Sequence, residues 1–338
     1  MRIFGIARCA LVVALSAPVA ATAQVIDLTV HDVGIAIGDK PVMTGLRLNF
    51  RDRNLEVVRG MNVTLWTPYE PTRGVVHGLA LGLPATGASS VSGALIGVFG
   101  GGVTQSLEGI AFGGLGIGAG GDVRGLTIGG LGVGGGGRIT GLTLGGIGVG
   151  SGGTIRGIQF GGIGVGGGGD LSGISIGGIG VGAAGNVSGL AVGGIGVGGG
   201  GTFRGIGIGG IGVGGGGDMT GLMIGGIGVG SGGTVTGLSI GGVGVGAMQL
   251  KGLAMSIVGA GAQDAQAIVL TGGYFKIEEK GRFDGGALAA VTNVKGAQHG
   301  LTIGLFNYAN ELHGAQIGLL NISDNDGHRR VLPLLSIR

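Results

Sequence analysis

The chain has very little cysteine, proline, aromatic character or charge. Its 338 residues hold 1 Cys and 6 Pro, with aromatics at 4% and charged residues at 11%. A single cysteine excludes a disulfide framework. So few prolines exclude collagen, which needs a Pro-rich repeat with Gly at every third position. The 20 Lys and Arg face 17 Asp and Glu without clustering. The footprint of a nucleic-acid binder is therefore missing, and no nucleic-acid partner is expected. No run of about 20 large apolar side chains is present to form a membrane helix.

Glycine takes the space these residues leave, at 93 positions, far above the usual ~7%. Aperiodic glycine-rich chains stay disordered, because they bury too little apolar surface to offset ordering entropy. This chain is 43% hydrophobic with a mean hydropathy of +0.59, and it is periodic. A sixteen-residue unit is written eight times between Gly113 and Ile240. Gly161 to Ile176 reads GGIGVGGGGDLSGISI, and Gly209 to Ile224 reads GGIGVGGGGDMTGLMI. A fixed period with fixed apolar columns marks a stacked array.

The unit's marker is a Gly between a polar residue and a Leu or Ile. It stands at Gly125, Gly141, Gly157, Gly173, Gly189, Gly205, Gly221 and Gly237. Upstream it continues at Gly109, Gly93, Gly78, Gly60 and Gly45. Downstream it recurs at Gly252, Gly285, Gly300 and Gly314, with Ala267 substituting once. The predicted fold is all-β: a repetitive parallel β-solenoid of about 16-residue coils and about eighteen units. Four segments follow: a signal peptide over 1–23, irregular N-terminal units and cap over 24–112, regular repeats over 113–248, and irregular C-terminal units and cap over 249–338.

Strand side chains alternate with period two, so Leu126 and Ile128 share a side. A turn at Gly129-Gly130 brings Leu131 and Val133 to the same interior, and Val123 or Ile139 adds a further inward position. The expected coil has about three short strands stacked at ~4.8 Å. The alternative is an antiparallel outer-membrane β-barrel with one strand per unit. It fits the period, but it lacks an apolar band along either face of a straight strand and lacks aromatic girdles.

The N-terminus reads as an export signal. Arg2 and Arg8 supply positive charge, Ala10 to Val19 is a short apolar run, and Ala21-Thr22-Ala23 is a small-residue cleavage pattern before Gln24. Cys9 lies inside this segment, so the mature chain is cysteine-free. The expected location is the cell surface, the outer membrane or the extracellular space.

Near the other end, Gly300-Leu301-Thr302-Ile303-Gly304-Leu305-Phe306-Asn307-Tyr308-Ala309 is followed by Gly314-Ala315-Gln316-Ile317-Gly318-Leu319-Leu320-Asn321. This pair, closing on Val331-Leu332-Pro333-Leu334, resembles the repeats of an uncharacterised family of bacterial surface-repeat proteins. The match covers roughly the last forty residues. The resemblance implies export and a repetitive β fold, and brings no catalytic residues with it.

The polar column before each marker includes Arg59, His77, Glu108, Arg124, Arg156, Arg204, Lys251, His299 and His313. Its mixed chemistry suits a solvated stripe. The column Thr127, Thr143, Gln159, Ser175, Ala191, Gly207, Met223, Ser239 is expected outside as well; its loss of hydroxyls argues against an ice-binding face. Asp122, Asp170 and Asp218 recur every third unit, ~14 Å apart in such a stack. That is too far for paired-carboxylate glycoside chemistry, and a local Asx turn is expected instead. His299 and His313 share a column in adjacent units, but a metal site needs three or four ligands. Asp324-Asn325-Asp326-Gly327 reads as a polar turn before a closing strand. The many G-x-G-x-x-G matches precede no long helix and carry no weight. No catalytic, cofactor or metal site is expected.

The function these features imply is an exported surface or envelope repeat protein with a structural or adhesive role, without enzymatic activity. Its flat faces suit an envelope polysaccharide, a membrane surface or a second copy. The alternatives are the barrel and an enzyme with a site in the irregular flanks, around His299, His313, Asp284 or Glu278. The packing implies that Ile176→Asp is severely destabilising and that Ser172→Asp is nearly silent.

Overall fold

The computed structural model describes residues 25–338; the expected export signal and its cleavage site lie outside them. The marker glycines set the shape of each coil. Gly125, Gly141 and Gly157 have φ of 116°, 119° and 113°, a region that side chains other than glycine's rarely allow. A Cβ on Gly125 would run into the carbonyl oxygen of Gly109, one coil back. Glycine here serves both the bend and the close stacking of successive bends.

Each regular coil carries two strands, one of seven residues and one of four. Val123–Gly129 and Gly132–Gly135 make one coil, and Ile139–Gly145 and Gly148–Ser151 the next. The expected three short strands are thus two, the longer one bent at its positive-φ glycine. Each strand pairs in parallel with its counterpart one unit on: Val123 with Ile139, Gly125 with Gly141, Val133 with Val149. The turns join the ladder too, as when the Gly136 amide donates to the Ala119 carbonyl at 2.8 Å. Parallel stacking of unit on unit is a β-solenoid of about eighteen coils, not a barrel of antiparallel neighbours.

The irregular flanks keep the same register. Gly45 pairs with Gly60, Gly60 with Gly78, and Ala267 stands between Gly252 and Gly285 as its sequence position implies. At both ends the direction reverses. Ile26–Val30 lies antiparallel on Val33–Ile37, and Arg330–Ile337 lies antiparallel on Ala315–Ser323. A short 3₁₀ turn over Asn325–Gly327 leads into that last strand, as the polar tetrapeptide suggests.

The interior differs from the sequence expectation. Val123 and Val133 are buried, as are their counterparts along the array. Thr127 is fully buried between them, whereas Leu126 and Ile128 are half-buried and Leu131 is exposed. The chain bends at Gly125 rather than only at Gly129-Gly130, and strand alternation then turns Thr127 inward and its aliphatic neighbours outward. Ile176 is 36% exposed, so the expectation that Ile176→Asp buries a charge is overturned.

The variable column is core because its neighbour compensates in volume. Where position 207 is glycine, position 203 is phenylalanine, and a Cβ on Gly207 would sit 2.9 Å from Phe203 Cζ and 3.1 Å from Met223 Sδ. At two of its polar positions the stack supplies a partner, Ser175 donating to Gln159 Oε1 at 3.2 Å. The Thr127 and Thr143 hydroxyls are buried and find no hydrogen-bond partner among the described residues.

The N-terminal coils carry a charged version of this column. Arg47, fully buried, bonds Asp39 at 2.6 Å, Asn62 at 2.7 Å, and Asp52. Asp52 also accepts from Thr64 at 2.5 Å and from Asn62 at 3.0 Å. Burial raises the Asp52 pKa, but the Arg47 charge and these hydrogen bonds outweigh it and hold the carboxyl below its ordinary range.

Candidate functional site

The outward turn of Leu126 and Ile128 has a consequence along the whole array. In-register stacking places every such residue above its counterpart, so the two positions become two columns. The first runs from Leu28 and Ile35 through Leu46, Ile110, Leu126, Ile174 and Ile268 to Leu301 and Ile337. The second runs from Ile26 and Ile37 through Leu48, Phe112, Ile128, Ile176 and Leu270 to Ile303 and Leu335. Each rung is apolar, and its smallest members are Ala94, Gly286 and Ala315. No member of either column is fully buried. Beside them, at the next corner, Leu131, Ile147, Ile163, Ile179 and Ile195 form a third column, each about half exposed.

About twenty rungs at ~4.8 Å make this face ~100 Å long, and two columns make it ~10 Å wide. Its footprint of roughly 1,000 Å² exceeds the 300–600 Å² that is the largest apolar patch on a typical monomer. Aliphatic side chains stand here because each coil turns only a few positions inward, and those are already filled, by residues as large as Ile139, Leu171 and Phe203. Only Val123-, Thr127- and Val133-type positions point inward, and the remaining aliphatic positions must face out.

The short strand beyond the third column is bare. Gly134, Gly150, Gly166 and Gly230 have open space around an added Cβ and no positive φ. Neither stacking nor backbone conformation requires glycine there. A side-chain-free sheet surface lets a flat partner approach the backbone closely.

The polar column is outward, as its composition implies: Arg59, Arg124, Arg156, Arg204 and Lys251 are exposed. Arg124 bonds Glu108 at 2.8 Å and Asp122 at 3.2 Å on the surface. The recurring acids act between coils rather than in local Asx turns. Asp122, Asp170 and Asp218 accept the amides of Arg138, Asn186 and Thr234, one coil on, at 2.7–2.8 Å. The Arg138 amide holds the Asp122 carboxyl below its ordinary range.

His299 and His313 do meet: their rings stack with centroids 4.9 Å apart. Asp284 joins the same column, its Oδ1 3.6 Å from His299 Nδ1. Glu278 is not part of this group and pairs with Lys276 at 2.7 Å. Among the described residues no cluster of three or more His, Cys, Asp or Glu is placed to hold a metal ion. An open cleft of about 920 Å³ is lined by Asn293, Lys295, Tyr308 and Glu311 and by none of His299, His313 or Asp284.

No family model, curated protein or solved structure matches the chain.

The aliphatic face was not legible as a site in the sequence, where its members look like core. The available signal is in the variable column between them, whose lack of charge marks it as interior and, by strand alternation, its aliphatic neighbours as outward. The column from Thr127 to Ser239 holds no ionisable residue, unlike the surface column one turn away.

Proposed function

We propose that this protein is an exported structural or adhesive component of the bacterial surface or envelope. In this reading its solenoid is a stiff rod mounted through one apolar side. The observation that carries it is the unbroken aliphatic face from Ile26 and Leu28 to Leu335 and Ile337. Leaving ~1,000 Å² of such surface in water forgoes ~25 kcal/mol at ~25 cal/mol per Å², before the cost of association. A face of that size is an attachment surface. The mixed, solvated polar column on the neighbouring side keeps the rest of the rod wetted. The apolar N-terminal run ending in Ala21-Thr22-Ala23 supports export.

The test combines location and attachment. Cells expressing the protein are fractionated and the intact surface is labelled with a membrane-impermeant reagent. Surface labelling that survives, together with release of the rod when lysines replace Ile158, Ile176 and Ile208, supports the reading. Retention of the whole protein in the cytoplasm refutes it.

A further inference from the structure

We infer that the surface covering the aliphatic face is the same face of a second copy of this chain, giving a side-by-side pair of rods. This rests on the attachment reading above. Three observations favour a second copy over a bilayer or another partner.

The first is spacing. The outward Leu and Ile repeat at the strand-to-strand distance of ~4.8 Å, with the two columns two residues apart along each strand. Another sheet face with the same repeat can interdigitate at every rung and form a dry, close-packed seam. A fluid acyl phase has no such repeat to match.

The second is area. The face offers roughly 1,000 Å² per copy, and a stable protein interface needs ~800 Å² per partner. A pair formed through one patch on both copies is isologous and closes on itself, so it does not grow into a fibre.

The third is the rim. A membrane-surface element carries Lys and Arg beside its apolar side, with Trp among the apolar residues. Here the flanking column mixes Arg124, Arg156 and Arg204 with Glu108, Ser172 and Thr220, and the two ladder columns contain no Trp. On the other flank the third column is apolar as well, and the glycine strip beyond it adds no side chains that would hold two faces apart.

The experiment is sedimentation equilibrium of the full mature chain at micromolar concentration. The expected mass is twice that of the monomer. The variant Ile158→Lys/Ile176→Lys/Ile208→Lys is expected at the monomer mass, with dimer affinity reduced at least ~100-fold and an unchanged strand signal in circular dichroism, because charges would be buried in the seam. Should that variant fail to fold, small-angle scattering of the unmodified chain decides. A larger cross-section at a length near 100 Å supports the pair, whereas a doubled length at constant cross-section overturns it. A monomer at every concentration also overturns it. If that monomer binds neutral phosphatidylcholine vesicles, the second copy is refuted and the attachment reading stands. If it binds no vesicles and is not held at the cell surface, both fall.

Discussion

Removing the Phe203 ring should create a cavity that a side chain at Gly207 can fill. Phe203 is fully buried, and Phe→Ala at such a site costs ~3–5 kcal/mol. Gly207 lies two residues beyond the positive-φ bend at Gly205, and the ring sits where its side chain would be. A Cβ there would lie 2.9 Å from Phe203 Cζ, 3.0 Å from Val213 Cγ1 and 3.1 Å from Met223 Sδ. Gly207→Val alone therefore overpacks the coil and should cost ~1–3 kcal/mol. In the Phe203→Ala background the same valine enters vacated space. The double variant should then be less destabilised than the sum of the singles by ~1–3 kcal/mol. Urea titrations of the mature chain, followed by circular dichroism, measure the three differences. A stacked array can lose its coils in steps, so amide exchange over 203–209 should be read alongside. Strict additivity of the two changes would refute the facing of the columns, and with it the assignment of the variable column to the core.

The remaining predictions address other parts of the molecule. In the monomeric state Ile176→Asp should cost only ~1–2 kcal/mol, the part of the side chain that its column covers, while Val181→Asp in the same coil should cost over ~4 kcal/mol; matched melting curves check both. Thr143→Val replaces a buried, unpartnered hydroxyl with a methyl group and should stabilise by ~1–3 kcal/mol in the same assay. The folded-state pKa of Asp52 lies below its unfolded value. Its contribution is present in full above the ordinary carboxylate range and is lost as pH falls through that range toward the depressed value. Amide exchange over 42–64 should therefore accelerate in acid before that of the central coils, and Asp52→Asn should remove most of this pH dependence while weakening the region at neutral pH.

Much of the architecture is legible in the sequence. The sixteen-residue period marks the coil, and because in-register parallel pairing joins equal positions, the marker glycines trace the stack even where Ala267 replaces one of them. The tetrapeptide Asp324 to Gly327 marks the closing turn because local side-chain and backbone preferences suffice there. The pairing of His299 with His313 and Asp284 also follows from register alone.

The direction in which each side chain points was not readable, because it depends on where the coil bends. Leu126, Thr127 and Ile128 alternate in any extended strand, and hydrophobicity favours burying the leucine and isoleucine. The structure buries the threonine. The positive-φ bend at Gly125 sets the phase, and the coil encloses room for only a few side chains. Volume exchange between Phe203 and Gly207 likewise exists only once two columns face each other. Local composition and period thus determine that this chain stacks, while the cross-section of the finished coil decides which aliphatic residues form its core and which form the long apolar face outside.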